Sequence, residues 1–180
     1  MTANFRVRTD KALEVIVWLA NKRPHIDVYH VVKCAFYADK YHLNKYGRPI
    51  AGDKYEADTY GPLGKAVYGL MKGDPFEILA LGGNGPLPIS VDEASGWQVV
   101  ASREVNSNRL SESDIEALEW AVEHYADKTF DELFKESHAD PAYIAAEGGT
   151  MRYEDFLAGD DPLRSEKAQD LQERAVSALL

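Results

Sequence analysis

Apolar side chains between residues 28 and 46 recur at helical spacing on more than one side of the chain. At about 100° per residue, one side carries a set that includes one carboxylate: Val28, Val32, Ala35, Phe36, Asp39 and Leu43. The opposite side carries His30, Cys34, Tyr37 and Tyr41, and a wetter stripe carries Tyr29, Lys33 and Lys40. A helix that is apolar almost all round is normally covered by other elements. The pattern therefore predicts a central, buried helix.

The ends of this helix have clear signals. Asp27 stands where an N-cap carboxylate accepts the amides of a first turn, and Gly47 stands where a left-handed cap is needed. Residues 50–58 then look extended, and apolar or neutral positions alternate with charged ones over 54–59, which favours a half-exposed strand or an irregular loop. Pro62, after Tyr60-Gly61, fits the first position of a further helix that runs to about residue 72.

The remaining pattern predicts several shorter elements. Asp10 is placed to cap a helix over residues 11–22. Ser111 with Asp114 and Thr129 with Glu132 have capping-box spacing, which predicts helices over 112–126 and 130–138. The second of these offers three core residues: Phe130, Leu133 and Phe134. A short helix follows Asp140-Pro141.

Residues 76–106 have the weakest helical pattern. Two β-prone runs, 88–91 and 97–101, predict a hairpin within a β-rich insertion. Pro162 opens a C-terminal helix over 162–180, whose apolar positions are Leu171, Ala175, Ala178 and Leu179. We therefore predict a single domain over residues 1–180 of the mainly α (α+β) class. It is a compact helical domain around a central buried helix, with a small β-hairpin or wing.

Composition excludes several classes of protein. Hydrophobic residues make up 45% and charged residues 28% of 180, which is ordinary for a globular domain. No apolar run is long enough to cross a membrane, the N-terminus lacks a signal core, and the one cysteine fits a reducing compartment. We expect a cytoplasmic protein without a membrane partner. The net charge of −10 makes direct nucleic-acid binding unexpected.

Candidate chemistry is sparse. His30 and Cys34 are four residues apart on a helix, but two ligands do not complete a metal site. We predict no catalytic residue, no cofactor and no metal. Asp39 lies on the main apolar face, where an unpaired carboxylate is unfavourable. It either pairs with an amide, a tyrosine or a lysine to fix a helix junction, or it contacts a partner.

Two features point to protein binding. Seven of the ten tyrosines lie between Tyr29 and Tyr68, and tyrosine is common both in domain shells and at interfaces. We expect Tyr55 and Tyr60 to be the surface members. The helix over 112–126 also carries a dense acidic set, which is either a solvated face or a patch for a basic partner: Glu112, Asp114, Glu116, Glu119 and Glu123.

Three blocks of sequence resemble a known family. They are Phe36 to Leu43 (FYADKYHL), Tyr46 to Ala57 (YGRPIAGDKYEA) and Tyr60 to Leu63 (YGPL). These blocks resemble the signature of the Panacea domain, the SocA-like antitoxin domain that is related to phage-associated GepA proteins. The start of the helix after Leu110-Ser111 is similar to that family as well.

The resemblance implies a mostly helical antitoxin of a two-gene toxin–antitoxin module. Such a protein binds and neutralises a cognate protein toxin by direct contact, and one member acts as an adaptor that delivers its toxin to the ClpXP protease. The partner-binding residues that we predict are Asp39, Tyr55, Tyr60, Gly61, Pro62, Glu116, Glu119 and Glu123. Two alternatives stay open. One is an enzyme on a helical scaffold that uses Asp39, His30 or His138, and the other is a phage-associated accessory protein.

Overall fold

A computed structural model describes residues 3–83 and 85–177. The chain is mainly helical, as predicted, with a small β component. In chain order the helices are α1 (Thr9–Lys22), α2 (Val28–Tyr46), α3 (Lys65–Lys72), α4 (Pro75–Ala80), α5 (Glu112–Tyr125), α6 (Phe130–His138), α7 (Pro141–Ala145), a 3-10 helix (Tyr153–Phe156) and α8 (Arg164–Ser177). The strands are β1 (Tyr55–Asp58), β2 (Gly61–Gly64), β3 (Ile89–Asp92) and β4 (Gln98–Ala101).

Helix α2 is the buried centre of the fold. Every residue from 31 to 39 is buried, and α2 packs most extensively against α5. Asp27 accepts a hydrogen bond from the His30 amide at 2.8 Å, and Gly47 closes the helix at φ 71°. The predicted central helix and both of its caps are therefore confirmed. The predicted wet stripe is wrong at Lys33, which is 1% exposed, because β2 and α6 cover this side of the helix.

Local signals located α5 and α6 well. Both predicted capping boxes are present, with Ser111 and Asp114 at the start of α5 and Thr129 and Glu132 at the start of α6. Helix α1 differs, because Asp10 lies inside it and pairs with arginine side chains instead of capping it. The starts of α5 and α6 are set by hydrogen bonds between residues three apart in the chain, which explains why sequence spacing predicts them.

The region around Pro62 differs from the prediction. Residues 61–64 form strand β2, which pairs antiparallel with β1 so that Pro62 lies opposite Ala57. Helix α3 therefore starts at Lys65, and the side chain of Asp53 accepts its Ala66 and Val67 amides at 2.8 and 3.0 Å. A carboxylate supplied from outside the helix thus provides the N-terminal hydrogen bonds, so that a proline at the first position is not needed.

The segment 76–106 contains the predicted hairpin and an element that was not predicted. Strands β3 and β4 form the hairpin, which bonds the start of α2: the Val28 amide donates to the Trp97 carbonyl, and the Val99 amide donates to the Ile26 carbonyl. Helix α4 (Pro75–Ala80) precedes it, capped by Asp74. That the segment is an insertion, and that 1–180 is a single domain, stay predictions.

The C-terminal helix begins at Arg164, two residues later than predicted from Pro162. Its Leu171 and Ala175 are buried, as expected. Ala178 and Leu179 lie outside the described residues. Within the described ranges, no helix combines the length and apolar character that a membrane span requires.

Candidate functional site

A groove of about 650 Å³ lies where the first turns of α2 meet β2, α3, the β3–β4 turn and the start of α6. We call it the aromatic groove, because rings from five residues line it: Tyr29, Tyr60, Tyr68, Trp97 and Phe130. Three of these rings are unusually open to solvent, at 59% for Tyr60, 44% for Trp97 and 46% for Phe130. Large aromatic side chains left exposed around one concavity are typical of a binding surface.

Lys33 forms part of the buried lining of the groove. Its Nζ donates a hydrogen bond to the Pro62 carbonyl oxygen at 2.9 Å and lies 4.9 Å from the ring centre of Tyr29. Burial lowers the pKa of Lys33 to about 7, and the Asp58 carboxylate opposes this only in part. A lysine whose ammonium is taken from water without a close carboxylate is unfavourable for folding.

The Tyr60-Gly61-Pro62 junction allows β2 to approach Lys33. Gly61 has φ +95°, and a Cβ atom there would lie 2.6 Å from the Ser137 Oγ and 3.0 Å from the Lys33 Nζ. A larger residue at this position would therefore displace α6 or the lysine. Gly61 and Pro62 are buried, so they shape the groove, whereas Tyr60 is the exposed member of the junction.

Trp97 reaches the groove from the β3–β4 turn in a strained conformation. Its φ is 62°, in the left-handed region that a bulky residue rarely adopts. Two hydrogen bonds hold the turn in place: the Val28 amide donates to the Trp97 carbonyl, and the Val99 amide donates to the Ile26 carbonyl. The Lys72 Nζ lies 4.9 Å from the indole ring centre. The fold thus keeps an unfavourable backbone conformation at a position where the side chain faces the groove.

The strain at Trp97 can be measured by comparing two small residues. We expect the free energy of unfolding of Trp97→Gly to be about 1 kcal/mol higher than that of Trp97→Ala, because only glycine adopts positive φ freely. The control is Val100, an exposed residue of β4, where alanine is expected to be more stable than glycine. Urea unfolding of the four variants gives both differences. Equal stability of the two Trp97 variants would contradict the assigned backbone conformation.

Asp39 and Tyr55, like Gly61 and Pro62, are predicted partner-binding residues that the fold buries. Asp39 accepts hydrogen bonds from the Ile50 amide at 2.6 Å and the Tyr55 hydroxyl at 2.9 Å, so the expectation that it pairs with an amide or tyrosine to fix a junction is confirmed. Burial raises the pKa of Asp39 to about 7. The prediction that Tyr55 is a surface residue is wrong, since it is 2% exposed and packs on Phe36 and Phe156.

The acidic set on α5 is already partly engaged within the protein. Hydrogen bonds from Lys45, Tyr46 and Tyr41 lower the pKa of Glu116 to about 2. Glu119 pairs with Lys22, while Glu123 is exposed. Asp114, at the start of the same helix, is fully buried. None of these four carboxylates lines the aromatic groove.

The residues proposed for acid–base or metal chemistry have separate structural partners. His30 bonds Asp27 through Nδ1 and the Lys128 carbonyl through Nε2, and the Asp27 hydrogen bond raises the pKa of His30. His138 bonds the Thr59 and Phe134 carbonyls. Cys34 is buried, and burial raises the pKa of its thiol to about 12. Neither histidine nor Asp39 lines the aromatic groove.

Comparison with known proteins identifies the family of this chain. Residues 31–143 match the family model described as antitoxin SocA-like, Panacea domain. This chain belongs to that family. The resemblance stated from the sequence is thus confirmed, and the Panacea match includes Lys33, Tyr60, Trp97 and Phe130. No curated protein and no solved structure matches the chain.

Membership of the Panacea family suggests the role of the antitoxin in a toxin–antitoxin pair and implies a toxin partner in general. The family is not known for enzymatic activity. Two of the blocks that resemble the family's signature supply features of this structure. The block Phe36 to Leu43 supplies Asp39 of the buried junction, and the block Tyr60 to Leu63 supplies the carbonyl that holds Lys33.

Three residues of the groove were missed by sequence reasoning. The sequence pattern places Lys33 in a wet stripe, Phe130 in the core and Trp97 only in a β-prone run. One signal was available, since Lys33 interrupts the apolar run from Val31 to Ala35. No local signal reports that Phe130, at the first position of α6, faces the groove, because that depends on how α6 packs beside β2.

Proposed function

We propose that this chain is the antitoxin of a two-gene module and neutralises its cognate protein toxin by direct contact through the aromatic groove. The supporting observation is the concentration of unfavourable features at one place. A buried lysine with no close carboxylate among the described residues, a tryptophan at positive φ and three exposed aromatic rings all belong to this groove. Features that reduce folding stability are commonly kept where function requires them.

The proposed mechanism is steric. Aromatic side chains dominate the binding energy of many protein interfaces, and Tyr60, Trp97 and Phe130 offer three such anchors around one concavity. A toxin segment held there would have part of its functional surface covered. No bond needs to form or break, so neutralisation requires only that the complex persists while the toxin is present.

The groove's role is tested by removing its exposed rings. We expect Phe130→Ala and Tyr60→Ala each to weaken binding to the toxin by roughly 10- to 100-fold, the range for interface anchors. Phe76→Ala is the matched control, because Phe76 is 82% exposed and does not line the groove. The measurements are the dissociation constant by calorimetry and the survival of cells that co-express antitoxin and toxin.

Different outcomes separate the two parts of this proposal. If the product of the adjacent gene is harmless, or stays toxic when the wild-type chain is present, the antitoxin function is wrong. If the toxin is neutralised equally by wild type, Phe130→Ala and Tyr60→Ala, the function stands but the groove is not the contact surface. The exposed carboxylates Glu119 and Glu123 are then the next surface to test.

Delivery of the toxin to ClpXP is a separate proposal that rests on the family resemblance. If this proposal is right, the toxin's half-life in cells shortens when the antitoxin is co-expressed and lengthens again when the protease is absent. An unchanged toxin half-life, together with full neutralisation, would leave steric inhibition as the mechanism.

A further inference from the structure

The buried end of Lys33 has hydrogen-bonding capacity that the protein does not use fully. An ammonium has three donors, and the Pro62 carbonyl accepts from one of them at 2.9 Å. Among the described residues, no carboxylate oxygen lies within 4.0 Å of the Lys33 Nζ, the limit for an ion pair. The Lys33 side chain is 1% exposed and lines the groove. It is therefore a buried cation that lacks a counter-ion.

The other charged groups around the groove do not supply that counter-ion. Asp27 is held by His30 through both carboxylate oxygens. Asp58 is solvent-exposed on β1 and acts on Lys33 only through its longer-range field. Lys72 contacts the face of Trp97 and adds a second positive charge to the lining.

The titratable phenols of the lining likewise leave Lys33 without an anion. Tyr29, Tyr60 and Tyr68 are the tyrosines that line the groove. The Tyr29 hydroxyl is buried. Ser137 lies near this hydroxyl, but no described residue meets the distance and angles of a hydrogen bond with it. The Tyr29 ring centre lies 4.9 Å from the Lys33 Nζ, and a neutral phenol supplies no negative charge to it.

We propose that the aromatic groove receives a partner segment that places a carboxylate against the Lys33 Nζ, with its apolar part between Tyr60, Phe130 and Trp97. This proposal rests on the proposed function, since the partner is the toxin, and it specifies the chemistry of the contact. The segment carries an aspartate, a glutamate or a C-terminal carboxylate next to an aromatic or aliphatic side chain.

Charge and burial both favour this occupant. A charge-assisted hydrogen bond in a low-dielectric site is stronger than a neutral one, and the carboxylate would provide the counter-ion that burial of Lys33 demands. The rings on the walls match the apolar neighbour of that carboxylate. The rival occupant is a basic segment that would pair with Asp58 at the rim.

Small probes test the contact without any toxin. N-acetyl-phenylalanine carries a carboxylate beside an aromatic ring, and its carboxamide analogue differs only in lacking that charge. We expect the full chain to bind the acid at least about tenfold more tightly than the amide, measured by NMR titration of the groove resonances. Lys33→Met is expected to abolish this preference, whereas Lys65→Met, an exposed lysine paired with Glu56, preserves it.

The dependence on pH adds a readout that a merely structural lysine would not give. Carboxylate binding favours protonated Lys33, so affinity for the acid is expected to fall between pH 6 and pH 9 while affinity for the amide stays constant. Equal affinities for acid and amide, or a preference that survives in Lys33→Met, would overturn the proposal. Tighter binding of N-acetyl-lysine amide than of the acid would overturn it in favour of the basic occupant.

The same probes keep this inference separate from the proposed function. If the acid binds at Lys33 but does not compete with the toxin, the carboxylate site stands and the groove's role in neutralisation is wrong. If the Phe130→Ala variant loses toxin binding while Lys33→Met retains it, neutralisation through the groove stands. The carboxylate contact is then overturned.

Discussion

Replacing Asp114 with alanine is expected to lower the free energy of unfolding by about 3–5 kcal/mol, the range for breaking a buried ion pair. Asp114 is fully buried, and its carboxylate lies 2.6 Å from the Lys11 Nζ, 3.2 Å from the Arg48 guanidinium and 3.3 Å from the His42 ring. It also accepts the Ser111 amide at 2.8 Å. Alanine would leave the positive charge of Lys11 with no close carboxylate in a mostly buried site.

The control for this substitution is Asp127→Ala. Asp127 pairs with Arg23 on the surface, where such pairs contribute little, so a loss below about 1 kcal/mol is expected. Asp114→Asn retains an oxygen for the Ser111 amide and should lie between the two. Thermal and urea unfolding of all three variants provide the comparison. If Asp114→Ala and Asp127→Ala lose equal stability, the ionic network is not a significant source of stability.

The contribution of Asp114 also has a defined pH dependence. Burial alone would raise the pKa of Asp114, but the Lys11 ion pair and the Ser111 amide hold it below the usual value. A carboxylate with a lowered folded pKa contributes stability that is present above its unfolded pKa of about 4 and is lost as the pH falls further. The difference between wild type and Asp114→Ala should therefore shrink below pH 4.

Asp114 also shows which parts of the fold can be predicted from sequence. The spacing from Ser111 to Asp114 predicted a helix over 112–126, and α5 spans Glu112–Tyr125, because a capping box is made by residues three apart. The ionic network around the same carboxylate was not predicted, since Arg48 is 66 residues away in the chain. The sequence instead places Asp114 in an acidic set, interpreted as either a solvated face or a patch for a basic partner.

The candidate site was predictable only where one local rule applied. The Tyr60-Gly61-Pro62 sequence predicts a sharp junction, and Gly61 has positive φ there. Pro62 wrongly predicts a helix start, because α3 begins at Lys65, where Asp53 from outside the helix caps it. Helical spacing located Lys33 correctly on its helix but could not report that β2 and α6 cover it. Trp97 enters the groove only because the hairpin pairs with the chain before α2.

Replacing Lys33 with methionine is expected to raise the free energy of unfolding by about 2 kcal/mol at pH 6. Burial lowers the pKa of this lysine from 10.5 to about 7, so at pH 6 the folded protein holds an unfavourable buried charge. Methionine has a similar length and no charge. Loss of the hydrogen bond to the Pro62 carbonyl offsets part of the gain, by about 1 kcal/mol.

The sign of the pH effect follows from proton linkage. Between pH 7 and about pH 10.5 the unfolded chain keeps the Lys33 proton while the folded protein has released it, so wild-type stability rises with pH relative to the variant. The advantage of Lys33→Met should therefore be full below pH 7 and largely gone by pH 10. Lys65→Met, an exposed lysine, should show no such dependence. A constant advantage at every pH would contradict a buried titrating amine.

Stability and binding should change in opposite directions in this variant. A lysine retained only for structure would lower stability when it is replaced and leave toxin affinity nearly unchanged, because the chain would stay almost entirely folded. Lys33→Met is instead expected to unfold at a higher temperature and to bind the toxin at least about tenfold more weakly. Wild type and variant measured side by side at pH 6 decide this. A loss of stability, or unchanged toxin affinity, would mean that the buried charge serves the fold of α2 and β2 and not the partner.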